Sequence, residues 1–177
     1  MGAATTSPEP VQGTEAEVLT DMLDRHRAAL RRKCADLTHE QLNHPLPPTT
    51  MTLAGLLKHL AVVESSYFSE DLLDEPLIAP FDTVDWSADR DWEWHTASQD
   101  RPRDLLALFD ASVAESRRIT RELLATAEGL DTLARRPTYL GVPARLRWIL
   151  AHMIEEYAQH NGHADLLREA VDGATAL

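Results

Sequence analysis

The chain has one cysteine, two lysines and no long apolar run, and each scarcity excludes something. With Cys34 alone, neither an internal disulfide nor a cluster of thiolate metal ligands can form. Cys34 falls on an apolar helical stripe, which reads as a small buried hydrophobe rather than a nucleophile. No stretch approaches the roughly 20 apolar residues that a membrane-spanning helix needs. The opening MGAATTSPEPVQG has no basic segment and no apolar centre, so it does not read as a secretory signal. Met1, Gly2 and Thr6 match a myristoylation signal only loosely, and residues 1–13 read as a disordered leader. Positive charge is also scarce, with 17 Lys and Arg against 29 Asp and Glu and a net charge of −12. That balance repels nucleic acid, and no basic patch interleaves with aromatics. The densest basic run, Arg31, Arg32 and Lys33, reads as complementing the dipole at a helix end. A soluble cytoplasmic protein is expected, with no nucleic-acid or membrane partner.

What is present is helical periodicity. A length of 177 residues suits one domain with a sizeable core, taken as residues 14–177. Thr14 and Glu17 form a capping box for a first helix running to about Ala35, with the stripe Val18 or Leu19, Met22, Leu23, His26, Leu30 and Cys34. His26 reads as hydrogen-bonded at a helix seam. Thr38 and Gln41 cap a short turn before Pro45, Pro47 and Pro48, and His39 and His44 in this region read as solvated. A second long helix starts near Thr50 or Thr52 and runs to about Leu73, with Leu53, Leu56, Leu60, Val63 and Tyr67 facing the core and His59 at the edge of that face. A third starts at Asp100 or Pro102 and ends near Gly129, burying Leu105, Leu106, Phe109, Val113, Ser116, Ile119 and Leu123. The fourth spans about Ala144 to Ala170, with Gly173 as its stop. Together they predict an all-α four-helix bundle. Residues 74–99 lose the periodicity yet carry Trp86, Trp92 and Trp94, which predicts a long structureless connection either pinned on the bundle or serving as a lid or pocket wall.

The fourth helix holds the chemistry. Its stripe Leu146, Ile149, Met153, Glu156, His160, His163 and Leu167 places a carboxylate and two imidazoles where packing alone would place aliphatic residues. A buried charge without a partner is costly, so Glu156 needs a metal, a cation or water. Glu156 and His160, four apart, have Cβ atoms about 5–6 Å apart and suit one ion. His152 and His160, eight apart, are separated by about 12 Å of rise and cannot both reach a metal bound at ~2.1 Å. A third ligand must therefore come from another helix, and His59, set among aliphatics in LLKHLAVVE, is the best candidate. Two histidines and one carboxylate leave positions open for water or substrate, as catalytic metal sites do. His152 and His163 read either as second donors lining the pocket or as exposed residues, and Glu64 and Tyr67 lie where they would orient His59 or the substrate. Glu155 is rotated about 100° toward solvent, and Asp165 and Arg168 read as surface or interhelical pairs.

The stretches TLAGLLKHLAVVESSYF, WSADRDWEW and LRWILAHMIEEYAQHNGHADLLREAVDG resemble the actinobacterial DUF664 branch of the DinB/YfiT-like superfamily. The resemblance covers nearly all of the chain after the leader. It implies a four-helix bundle with a divalent metal near one end. It also implies kinship with metal-dependent thiol transferases that use mycothiol, bacillithiol or glutathione, a group related to mycothiol-dependent maleylpyruvate isomerase. The family's first ligand falls on His59. His160, followed by Asn161 and Gly162, matches the second histidine of the family's usual HxxxH pair, and Glu156 stands where the first would be. Zinc is the first choice of metal, with nickel, manganese and iron also compatible. The resemblance implies a metal-dependent thiol S-transferase that activates a mycothiol-like thiol against an electrophilic small molecule, with Trp86 and Trp92 in the pocket wall. The competing readings are a hydrolase that activates water at the same site, and a non-enzymatic metal-binding stress-response module that pairs as a homodimer.

Overall fold

The computed structural model describes residues 11–175. Residues 1–10 of the expected leader therefore lie outside the described residues, and residues 11–13 form an exposed turn. Helix α1 (Glu15–Lys33) starts as expected: Thr14 Oγ1 accepts from the Glu17 backbone N–H, and the Glu17 carboxylate accepts from the Thr14 N–H at 2.7 Å. Thr38 and Gln41 repeat this capping box on the single turn α2 (His39–Leu42). Helix α3 (Leu53–Ser65) is capped by Thr52 and runs on through a π-helical turn, Ser66–Asp71, in which the Leu72 N–H reaches back five residues to the Tyr67 carbonyl. Helix α5 (Pro102–Leu124) stops short of the expected Gly129, which instead opens a 3-10 turn with φ +51°. Helix α6 (Leu146–Asp172) ends where expected, on left-handed Gly173, whose N–H donates to the Glu169 carbonyl.

The connection after α3 departs from expectation. Residues 74–99 hold a 3-10 turn (Phe81–Thr83), helix α4 (Trp92–Thr96) and a second 3-10 turn (Ala97–Gln99), so this segment is not structureless. What orders it is Lys58 on α3, buried beneath the Trp92 ring at 4.2 Å and bonded to Asp100 at 2.6 Å and Thr96 at 2.8 Å. A buried cation whose hydrogen bonds among the described residues go to Thr96 and Asp100 fixes the connection and its far end onto the helix. Among the described residues there are thus six α-helices and no strand, four of the helices being long. Helix α1 packs on α6, and α3 packs on both α5 and α6, so the long helices form an all-α bundle. Its buried side chains make one continuous core, from Leu23 and Leu30 through Leu56, Leu60 and Phe109 to Met153 and Tyr157.

Besides Lys58, two positive charges from α1 lie inside this bundle, against the expectation for that helix. Met22, assigned to the core stripe, is 45% exposed, and Arg27 takes the inward position instead. Lys33, read as complementing the helix dipole, is buried and bonds the Asn161 carbonyl at 3.0 Å and Asp165 at 2.8 Å, tying α1 to α6. Arg31 pairs with Asp110 on α5. Cys34 is buried as expected, and burial pushes its thiol up to about 12. At pH 8 the native chain then holds roughly one part in ten thousand of thiolate. Alkylating reagents are expected to leave Cys34 unmodified until denaturant is added, a difference that mass spectrometry of the labelled chain reads directly.

Asp71, in the π-helical turn, provides a pH-dependent test. Burial, reinforced by the charge of Glu70 and opposed by Arg136, pushes its carboxyl up to about 6. An acid raised above its unfolded value of about 3.9 costs the fold stability once it ionises, so the penalty grows from pH 4 to 6 and is complete above 6. Asp71→Asn is expected to raise Tm above pH 6, with the gain shrinking below pH 6 and gone near pH 4.

Candidate metal centre

Helices α3 and α6 run antiparallel where they meet, placing the His59 ring 5.0 Å from that of His160 and the Tyr67 ring 5.0 Å from that of His152. Ligand atoms of His59, Glu156 and His160 lie within 4.8 Å of one another. Side-chain rotation can close that spacing onto one ion held at about 2.0–2.2 Å. The three residues differ from the expected core stripe in one respect. The buried face of α6 follows Met153, Tyr157, Asn161, Ala164 and Leu167, one residue on from Glu156, His160 and His163. Glu156 and His160 therefore flank the core half-buried, and His163 is exposed with its ring 5.5 Å from that of His160. A stripe of period 3.6 drifts against steps of three and four, and that drift carries Tyr157 inward.

Glu156 stands between two imidazoles. Its Oε2 is 3.6 Å from His160 Nε2, and its Oε1 is 3.6 Å from His152 Nε2. The His160 imidazole, together with His152 and His59, holds the Glu156 carboxyl below the usual carboxylate range against the opposing effect of partial burial. His152 lies flat on Trp148 at 4.8 Å and 12°, with the edge of Tyr67 against it. Glu64, expected near His59, instead bonds Arg27 and Tyr157 inside the bundle. Trp86 and Trp92 pack against each other and Trp92 against Phe81, so the indole stacked on His59 is that of Trp94, at 4.8 Å and 28°. Trp94 can lie there because α3 carries glycine at 55: a Cβ on Gly55 would stand 2.6 Å from the Trp94 ring.

Sequence reasoning missed Glu93. Its Oε1 is 3.0 Å from His59 Nδ1, and the residue is buried beside α3 with its other carboxylate oxygen unpartnered among the described residues. A carboxylate on Nδ1 holds that nitrogen as the donor and leaves Nε2 with a free lone pair, the outer-partner arrangement of metal-bound histidines. The only signal was local: in WEW, an acid is bracketed by two burying indoles. His160 Nδ1, also buried, has no partner among the described residues. Two imidazoles and a carboxylate, one imidazole oriented by an acid, fit a divalent cation of borderline to hard character.

A family model described as MST, mycothiol-S-transferase, matches residues 18–173, a span that includes all three residues and Glu93. The chain belongs to this family. The family falls within the DinB/YfiT-like mycothiol-associated group, as the motifs implied. No curated protein matches the chain. For this member of the mycothiol-S-transferase family, Glu93→Gln is expected to weaken divalent-metal binding about 10- to 100-fold while leaving the helical content unchanged. Competition against a chromogenic chelator measures the change; an unaltered affinity would show that Glu93 does not act through His59.

Proposed function

We propose that the chain is a metal-dependent mycothiol S-transferase in which His59, Glu156 and His160 hold one divalent cation, zinc by first choice, with nickel, manganese and iron admitted by the same donors. The observation that carries this reading is the meeting of these three side chains from α3 and α6 inside a chain of the mycothiol-S-transferase family. The cation supplies positive charge that lowers the pKa of a thiol, so that thiolate exists at neutral pH. The protein's own residues do the rest. Glu93 fixes the His59 tautomer, Glu156 balances charge, and Trp94 shields one side of the imidazoles from water. His152, beside Glu156 and stacked on Trp148, would take the thiol proton on its ring. The sulfur then forms a bond to an electrophilic carbon of the second substrate, and the displaced electron pair leaves with the leaving group or moves into the electrophile's π system. The nucleophile comes from outside the chain, since Cys34 is buried and held protonated.

The test is conjugation of mycothiol to monobromobimane by zinc-loaded and metal-stripped protein. The reading predicts metal-dependent conjugate formation above the uncatalysed rate. Conjugation indifferent to metal contradicts it, and an electrophile consumed without thiol would instead mark a hydrolase.

A further inference from the structure

Trp94 belongs to two features at once. Besides stacking on His59, it lines a cleft of about 470 Å³ whose other walls include Asn43, Thr49, Thr50, Thr52 and Ser98. The volume suits a small molecule. The lining also holds Asp91 and His95 but no lysine or arginine, and His95 is already paired with Asp89 at 2.9 Å, which disfavours a phosphate or carboxylate ligand. It is rich in neutral hydroxyl and amide groups that still have bonding capacity. Thr49 and Thr52 use their hydroxyl oxygens to accept from the Met51 and Gly55 N–H groups, which leaves their O–H groups free to donate. The Thr50 and Ser98 hydroxyls make no hydrogen bond among the described residues. Convergent hydroxyls facing one indole match a polyol, whose C–H face packs on the ring while its hydroxyls bond the walls.

The opposite flank of Glu156 has different chemistry. There His152 stacks on Trp148 with the edge of Tyr67 against it, beside Tyr139 and Leu140, which are 72% and 57% exposed. That flank presents mainly ring faces rather than a cluster of short-chain hydroxyls like the one lining the Trp94 cleft, so the two flanks are suited to different ligand parts.

The geometry points to the Trp94 cleft as the subsite for the polyhydroxylated glycoside headgroup of the thiol, with the sulfur-bearing arm passing the Trp94 edge toward His59 and His160. This deepens the transferase reading and rests on it, although headgroup binding itself requires no metal. The Trp94 ring centroid lies 4.8 Å from that of His59 and 6.4 Å from that of His160, so a short acyl-cysteine arm spans the step from cleft to imidazoles. The aromatic flank is left to the electrophile.

Calorimetry with three probes tests the assignment: mycothiol, N-acetylcysteine as the arm alone, and glucosaminyl-inositol as the headgroup without sulfur. Thr50→Arg and Ser98→Arg, both at exposed positions, fill the cleft from different walls. Each is expected to weaken mycothiol and headgroup binding about tenfold or more, equivalent to 1.4 kcal/mol or more, and to leave N-acetylcysteine and metal affinities unchanged. The headgroup is expected to bind metal-stripped and metal-loaded protein alike. Mycothiol binding unaltered in both variants, or N-acetylcysteine binding as tightly as mycothiol, overturns the assignment. Transfer without any headgroup contribution removes the cleft assignment alone. Headgroup binding in the cleft by a protein that catalyses no transfer removes the catalytic reading and leaves the cleft as a glycoside site.

Discussion

Replacing Glu64 with alanine is expected to cost the fold about 3–5 kcal/mol, because it strands a buried guanidinium. Glu64 is fully buried and accepts from Arg27 Nε at 2.7 Å, from the second Arg27 nitrogen at 2.6 Å and from the Tyr157 hydroxyl at 2.7 Å. Arg27 is itself 4% exposed, and Asp24 at 2.9 Å is its other acidic partner. Removing the carboxylate leaves a charge that neither water nor Asp24 alone can satisfy, and it unpairs Tyr157, whose ionisation burial and Glu64 both push well up. For a chain of this size the loss corresponds to a fall in Tm of about 6–20 °C. Arg27→Met with Glu64→Leu and Tyr157→Phe is expected to recover much of it, since an apolar trio avoids the desolvation cost. Thermal unfolding of both variants measures the effect; a Glu64→Ala protein melting within about 2 °C of the parent would show the network to be energetically neutral.

Alanine at His59, Glu156 or His160 is expected to lower divalent-metal affinity more than about 100-fold, beyond the loss produced by an outer partner such as Glu93. Each removes one of the three side chains proposed to hold the ion, and all three lie at the flank of the core, where truncation leaves the packing of Tyr157 and Met153 intact. Metal binding to the folded state alone stabilises it by about 2.7 kcal/mol at a hundred times Kd, so zinc is expected to raise the parent Tm by about 5–11 °C and the variants' hardly at all. His152→Ala is the control: it touches Glu156 from the other oxygen and is expected to retain metal. Three variants that bind zinc like the parent would mean that these side chains meet for some other reason.

The parts of this structure legible in the sequence are those that depend on local order. Capping boxes at Thr14 and Thr38 and the glycine stop at Gly173 fall where their residues demanded, because each is decided within four positions. The Glu156 and His160 pair was legible for the same reason, and His59 because an imidazole among aliphatics needs an explanation. The buried cations were not. Arg27, Lys33 and Lys58 find their partners 37, 128 and 42 residues away, distances across which no periodicity speaks. Met22 consequently went to the core in place of Arg27, and Lys33 was read only as complementing the helix dipole. Glu93 escaped because it comes from a connection without period, and the ordering of that connection depends on Lys58, Trp92 and Asp100 together. The π-helical turn at Tyr67 carries no sequence signature of its own. The extent of the leader rests on residues 1–10, which lie outside the described residues.

The most direct test of the central claim is the ionisation of the thiol itself. Mycothiol titrated in the presence of an equivalent of zinc-loaded protein, followed by thiolate absorbance, reports the pH at which its sulfur loses a proton, and Cys34 does not interfere because it titrates only at about 12. The account predicts that the bound thiol ionises below about pH 7.5, and that stripping the metal or changing His59→Ala returns it to near 8.5. A thiol that ionises at the same pH with and without metal would contradict the account.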